Sequence, residues 1–183
     1  MHPDAKYEKT NFCNVAFNQR NLSLDQPCDL FHVLSKHKYI FDASLGVYLH
    51  KKGHIELKPG AKLVHHHAYP ILHVHRQTFK KELDHMVEIR ILEPCGASEW
   101  ASPAFIIPKK DGCIRQITDL QSLKKVIIHK QYPLPIITDM LDCISGYKFF
   151  TKLDISMQYY TFELDEPSQE LCVIVTPFGK YKY

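Results

Sequence analysis

Tyr147-Lys148-Phe149-Phe150-Thr151-Lys152-Leu153-Asp154, then Ile155-Ser156-Met157-Gln158-Tyr159, then Tyr160-Thr161-Phe162-Glu163-Leu164-Asp165, is the stretch on which the fold turns. Tyr147, Phe149, Thr151 and Leu153 alternate with Lys148 and Lys152. That period of two predicts a strand with one buried face. Tyr160, Phe162 and Leu164 alternate with Thr161 and Glu163, which predicts a second strand. Asp154 closes the first strand, where a short turn or a single helical turn begins. A carboxylate there has two local uses. It can cap the backbone N–H groups of the following turn, or it can hold a hard cation in a cleft at the sheet's edge.

Downstream, Leu171-Cys172-Val173-Ile174-Val175 is nearly continuous apolar, as a strand buried on both faces reads. Pro177-Phe178-Gly179 turns it, and Tyr181-Lys182-Tyr183 begins a strand with no partner in view. Upstream, Pro133-Leu134-Pro135 precedes a helix carrying Ile137, Met140, Leu141 and Ile144, with Gly146 just past its end. Phe105-Ile106-Ile107 and Cys113-Ile114-Arg115-Gln116-Ile117 read as strands joined by Asp111-Gly112, a strong hairpin signal. Lys109, Lys110 and Arg115 cluster on that hairpin. Three such cations can clamp a triphosphate, by point charge from Lys and by a bidentate fork from Arg. They equally keep an exposed sheet edge soluble. Gln77 to Glu88 is a helix whose stripe of Phe79, Leu83, Met86 and Val87 faces a core.

The front of the chain is weaker in pattern. Residues 1–22 show no clear period and read as a poorly ordered tail. Ser23-Leu24-Asp25-Gln26 has capping-box spacing ahead of Leu30, Val33 and Leu34, although Pro27 blurs where that helix begins. Glycines 46 and 53 and the pair Pro59-Gly60 punctuate loops. His65, His66, His67, His73 and His75 form a cluster that could hold a divalent metal or be a solvated connector punctuated by Pro70. No Cys or carboxylate lies in the run to complete a zinc shell, which favours the connector.

Composition excludes several classes. The chain has 183 residues, 45% hydrophobic, with a net charge of +3, a mild basicity too weak by itself to argue for a nucleic-acid partner. Six cysteines form no Cys-x-x-Cys pair and suit neither a zinc ribbon nor a disulfide framework. Scattered free thiols, a polar start and apolar runs far too short to span a bilayer give the expectation of a cytoplasmic or nuclear protein.

In several ordered motifs the sequence resembles the reverse transcriptase region of a gypsy-type LTR retrotransposon polyprotein. Asp154, followed five positions on by Tyr159, matches that family's first catalytic motif. Glu93-Pro94-Cys95-Gly96, Ser98-Glu99-Trp100-Ala101-Ser102-Pro103 and Ile106-Ile107-Pro108-Lys109-Lys110-Asp111-Gly112 match upstream. Tyr132-Pro133-Leu134-Pro135 and Thr176-Pro177-Phe178-Gly179-Lys180-Tyr181 extend the match. The resemblance is good from about His54 to Tyr183 and weaker back to Leu22.

The resemblance implies an α+β chain with a partial right-hand polymerase fold. Residues 1–22 would be a tail, 23–76 a connector with one short helix, and 77–183 the fingers and a truncated palm. It implies RNA-directed DNA synthesis by two-metal nucleotidyl transfer in the intact family. Asp154 would be the catalytic carboxylate, binding Mg²⁺ together with the carbonyl of Ile155. Lys109 and Arg115 would contact nucleotide phosphates, and Tyr159 would screen the sugar. Lys110, Lys124 and Lys125 would touch nucleic acid. The expected partners are an RNA or DNA template–primer and deoxynucleotides, with no membrane. Self-association through an uncovered sheet is a further expectation, resting on Leu171 to Val175 and a neighbourless Tyr181-Lys182-Tyr183.

Two departures qualify the resemblance. Where the family reads Asp-Phe-Arg-x-Leu-Asn, this chain reads Asp119-Leu120-Gln121-Ser122-Leu123-Lys124. The family's adjacent aspartate pair occurs nowhere in the sequence, so one catalytic carboxylate of three is expected and activity of the chain alone is not. The alternatives are a non-catalytic remnant that binds nucleic acid and a histidine-rich metal-binding protein.

Overall fold

The stripe of Phe79, Leu83 and Met86 is buried on one helix, α3, His73–Glu88. The computed structural model describes residues 9–109 and 114–183. Helix α3 starts four residues before the apolar stripe predicts, because its first turn needs no buried side chain. The sheet is built from β1, Glu93–Cys95, β2, Ser102–Pro108, β3, Ile114–Thr118, β4, Val173–Thr176, and β5, Gly179–Lys182. Their spatial order is β1-β5-β4-β2-β3. Only β4 and β2 run parallel, with Ser102 opposite Ile174 and Pro103 opposite Val175. The β2–β3 and β4–β5 hairpins and the β1–β5 pair are antiparallel. Pro94 is tolerated in β1 because that strand is an edge.

The core lies between α3 and this sheet. Phe79, Leu83, Val173 and Ile174 are fully buried, and the Phe79 ring centroid sits 6.0 Å from that of Phe178 in the β4–β5 turn. Cys172, beside β4, is buried too, and burial pushes its thiol up to about 11. This mixed helix-and-sheet arrangement is the α+β fold that the sequence predicts.

The chain divides into two units, residues 1–47 with 152–161, and residues 48–151 with 162–183. The sheet and α3 belong to the second. In the first, α1, Phe12–Phe17, is capped by Asn11, whose side chain accepts from the Asn14 N–H. Phe17 meets Phe31 of α2, Gln26–Lys36, at 6.4 Å between ring centroids. Helix α1 stands where no period was legible: six residues are too short to show one, and Phe31 supplies the contact from outside. The capping-box spacing closes only by half. The Gln26 side chain accepts from the Ser23 N–H, but the helix begins at Gln26. That start puts Pro27 in the first turn, where its missing N–H costs nothing.

Two predicted strands are not strands. Residues 147–153 carry no ladder, and Tyr147, Phe149 and Leu153 are exposed at 69%, 65% and 73%. Alternation records which side chains could share a face. A strand forms only where its N–H and C=O groups also find a neighbour, and the five described strands pair with one another. In the second segment, Gln158–Thr161 is a 3-10 turn, and Leu164 makes only an isolated parallel bridge to Gly53. The expectation of a neighbourless strand at Tyr181-Lys182-Tyr183 is also corrected. Strand β5 is interior, hydrogen-bonded to β4 on one side and to β1 on the other. The uncovered sheet expected at Leu171 to Val175 is not found either, since Val173 and Ile174 are sealed by packing from elsewhere in the chain. Exposed apolar side chains gather instead on α5, Ile137–Cys143, which buries none of its residues.

Residues upstream of α3 are stitched to this unit by backbone bonds. The Gly53 N–H donates to the Glu163 carbonyl at 2.7 Å, and the Asp165 N–H to the Gly53 carbonyl at 3.0 Å. A Cβ at Gly53 would lie 3.0 Å from Leu164 Cδ2, so a larger residue there would have to push that methyl aside by a few tenths of an ångström. His54 Nδ1–H donates to Asp165 Oδ2 at 2.6 Å, and the buried Ser168 Oγ accepts from the Ile55 N–H at 2.8 Å. Asp165 also caps α6, Glu166–Leu171. The Ser168 side chain first, and His54 next, hold the Asp165 carboxyl below its ordinary value.

Three outcomes are expected. Phe79→Ala should lower unfolding stability by about 3–5 kcal/mol, because the site cannot collapse around a lost ring. Thiol labelling should modify the exposed Cys13, Cys28 and Cys143 quickly and Cys172 only on unfolding. Because the folded-state pKa of Asp165 is depressed, its charge stabilises above the ordinary value of 3.8, and that contribution fades as pH falls through the lower folded value. The stability curves of the wild type and Asp165→Asn should therefore converge below that pH, and curves that stay parallel would contradict the assignment.

Candidate nucleic-acid interface

Lys109 directly follows β2, and Arg115 lies on β3 opposite Ile107. Strand alternation puts Ile107 and Lys109 on one face, so Lys109 and Arg115 share it. Arg115 is exposed and Lys109 half-buried, and neither makes an ion pair with a described residue. The hairpin thus presents two cations side by side, a geometry able to receive phosphate oxygens. Lys110 and the turn residues Asp111 and Gly112 lie outside the described residues, as does Cys113.

Asp154, Ile155 and Tyr159 lie together in one short exposed segment of the other unit. Tyr159 is 83% exposed and Ile155 64%. Asp154 does not cap the turn that follows it. That turn is closed by the Tyr160 N–H to the Met157 carbonyl at 2.9 Å and the Thr161 hydroxyl to the Gln158 carbonyl at 2.6 Å. A solvated carboxylate and an exposed ring can meet a ligand without desolvating a core.

The segment that departs from the family pattern builds its own features. Asp119 Oδ1 accepts from the Gln121 N–H at 3.1 Å at the start of α4, Gln121–Val126. Its other oxygen accepts from the Tyr69 hydroxyl at 3.2 Å, which raises the pKa of Tyr69. Tyr69, Phe105, Ile117, Asp119 and Gln121 line an open depression of about 430 Å³. Tyr69 carries no sequence signal for this role, because its partner lies fifty positions away. Lys124 and Lys125 are exposed in the last turn of α4.

The histidines disperse. His65 Nε2 accepts from Lys180 Nζ at 3.1 Å, His66 Nε2 lies 3.1 Å from the Ser122 hydroxyl, and His73 and His75 enter α3. Among the described residues no three His, Cys, Asp or Glu side chains gather to hold a metal. The residues about Asp154 therefore do not by themselves fit a Mg²⁺ site. Among the described residues, no helix is long and apolar enough to cross a membrane.

No protein-family model matches the chain. Its sequence is similar to the retrovirus-related Pol polyprotein from transposon 412 of Drosophila melanogaster, 27% identical over 61% of this chain and 9% of the polyprotein. It is also 29% identical to the transposon Tf2-3 polyprotein of Schizosaccharomyces pombe, over 63% of this chain and 9% of that one. The chain thus corresponds to a small part of these relatives. Its fold matches the prototype foamy virus protease-reverse transcriptase over 94% of this chain and 23% of that one, with a TM-score of 0.79 and 18% identity. A foamy viral protease-reverse transcriptase in complex with dsDNA matches with a TM-score of 0.75 and 15% identity, over 94% of this chain and 36% of that one. The resemblance to the reverse transcriptase region of retrotransposon polyproteins, first read from its motifs, holds in both sequence and fold.

Proposed function

We propose that this chain is the part of a reverse transcriptase that grips a template–primer and the phosphates of an incoming deoxynucleotide. The observation that carries this is the fold match over 94% of the chain at a TM-score of 0.79, alongside sequence similarity to retrotransposon polyproteins. In this reading Lys109 and Arg115 bind nucleotide phosphates by charge and fork. Tyr159 presents a ring that would exclude a 2′ hydroxyl, the group that separates RNA from DNA building blocks. Lys110, Lys124 and Lys125 contact the nucleic-acid backbone. Asp154, with the Ile155 carbonyl beside it, is the catalytic carboxylate of the intact enzyme.

Nucleotidyl transfer in such enzymes takes divalent cations held by several carboxylates, which would stabilise the charge that develops in the reaction; Asp154 and the Ile155 carbonyl would supply one part of that ligand set. The described residues do not assemble that set in full. The chain by itself is therefore assigned a binding role, and polymerisation is assigned to the longer protein in which such a segment operates.

Two measurements on the purified chain test this reading. Its affinity for a primer–template duplex should fall steeply as salt rises, because Lys and Arg contacts release counterions. Lys109→Ala with Arg115→Ala should weaken binding several-fold at low salt. Template-directed nucleotide incorporation should be undetectable. A flat salt dependence would overturn the binding role, and incorporation abolished by Asp154→Asn would overturn the assignment of catalysis to a longer protein.

A further inference from the structure

Residues 64–69, upstream of α3, form a strap paired with the residue just before β2. The Ala101 N–H donates to the Val64 carbonyl at 2.8 Å, and the His66 N–H to the Ala101 carbonyl at 2.9 Å. His65 pairs in parallel with Ala101 between these bonds. Val64 is buried, and the Tyr69 hydroxyl ends the strap on Asp119 at 3.2 Å.

One side-chain contact fastens the strap to the far side of the sheet order. Lys180 Nζ, on β5, donates to His65 Nε2 at 3.1 Å and to the Ser98 carbonyl at 2.9 Å. An ammonium has donors and no acceptor, so His65 must present Nε2 as a lone pair and carry its proton on Nδ1. The other histidine contacts among the described residues differ in kind. His54 and His85 face the carboxylates of Asp165 and Glu88, His66 the Ser122 hydroxyl, and His129 the Lys124 carbonyl. Each partner is an oxygen, which can accept from a doubly protonated ring. Of these contacts, only that of His65 is lost when the ring takes a second proton. Nε2 then becomes a donor facing a donor, and two positive charges stand 3.1 Å apart.

The surroundings do not relieve that repulsion. Lys180 stands opposite Cys95 of β1, whose thiol is pushed up by burial. Glu93 and Glu170, the acids near Cys95, are both engaged by Lys182, at 3.7 and 3.6 Å. Glu99, next to Ser98 in sequence, forms no ion pair with a described residue. His66 and His67, which follow His65 on the strap, bring no negative charge.

We propose that residues 64–69 are a pH-sensitive strap, fastened while His65 is neutral and accepts from Lys180, and loosened when His65 is protonated. The direction follows from linkage. The loosened strap binds a proton that the fastened contact refuses, so fastening is favoured as pH rises and lost as pH falls. Tyr69 lies at the far end of the strap, so loosening also frees one wall of the depression of about 430 Å³ that Tyr69 lines. None of the residues assigned to nucleotide or nucleic-acid contact takes part, so the strap stands or falls independently of that function.

Amide hydrogen exchange on the full chain, without ligand, tests this. Rates are corrected for the intrinsic effect of pH and compared between about pH 8 and about pH 5, the range in which an imidazole gains its proton. Protection of the Ala101 and His66 N–H groups should fall several-fold on acidification, and by at most about tenfold per pH unit for one linked proton. The Gly53 and Asp165 N–H groups, beside the oxygen-facing His54, should keep theirs. His65→Gln offers Lys180 an amide oxygen at either pH, so protection in that variant should not depend on pH. Lys180→Gln removes the second cation and should flatten the response as well. Nitrogen chemical shifts of His65 in the wild type should show Nδ1 protonated and Nε2 bare at the upper pH. Equal protection at the two pH values, or a fall that persists in either variant, would overturn the strap. So would a proton on Nε2 at the upper pH, a reading that needs no variant to fold.

Discussion

The parallel pairing of β2 with β4, Ser102 opposite Ile174, is the constraint on which the sheet depends. It joins two antiparallel groups that would otherwise be separate, β2–β3 on one side and β4–β5–β1 on the other. Closing so long a loop costs entropy that grows only slowly with length, but local contacts cannot repay it. Repayment comes from burying Val173 and Ile174 completely, with Phe79 and Leu83 of α3 in the same core. The hairpin that carries Lys109 and Arg115 therefore owes its anchorage to a strand much later in the chain.

The residues before α3 depend on a weaker form of the same principle. They make no sheet, yet isolated bridges at Gly53, Leu57 and His65 fasten them to Leu164, Ile127 and Ala101. Each bridge is one or two backbone bonds, worth little alone. Their effect is positional: one places His54 on Asp165, another places Lys58 on the end of α4. What the sequence presents as a polar linker thus supplies both a histidine–carboxylate hydrogen bond and a cation to surfaces built elsewhere.

Charge and apolar surface are distributed unevenly. Lys109 and Arg115 lie on the β2–β3 hairpin and Lys124 and Lys125 at the end of α4, whereas Ile137, Met140 and Leu141 of α5, and Ile144 just past it, stand exposed. The helix forms despite burying nothing, in keeping with Pro135 just ahead of it and Gly146 just beyond, the latter at a φ of +86°. The buried Phe79, Leu83 and Met86 and the exposed face of α5 have the same helical periodicity, so periodicity alone does not say which helix is covered.

The sequence by itself determined the elements whose signals are local and dense: α3 from its stripe, the β2–β3 pair from two apolar runs about a turn, and β4 from a continuous apolar run. It also carried the reverse transcriptase resemblance, through Asp154 and Tyr159 and the motifs around Lys109 and Pro177. It misread residues 147–153 and 160–164, because alternation is silent about whether a ladder partner exists. Only the tertiary structure decided that β5 is interior, since its partner β1 is a three-residue strand containing a proline, too short to be legible. Only the tertiary structure brought Tyr69 to Asp119 and Lys58 to Lys125. Such pairs are set by how distant segments pack, and no spacing along the chain encodes them.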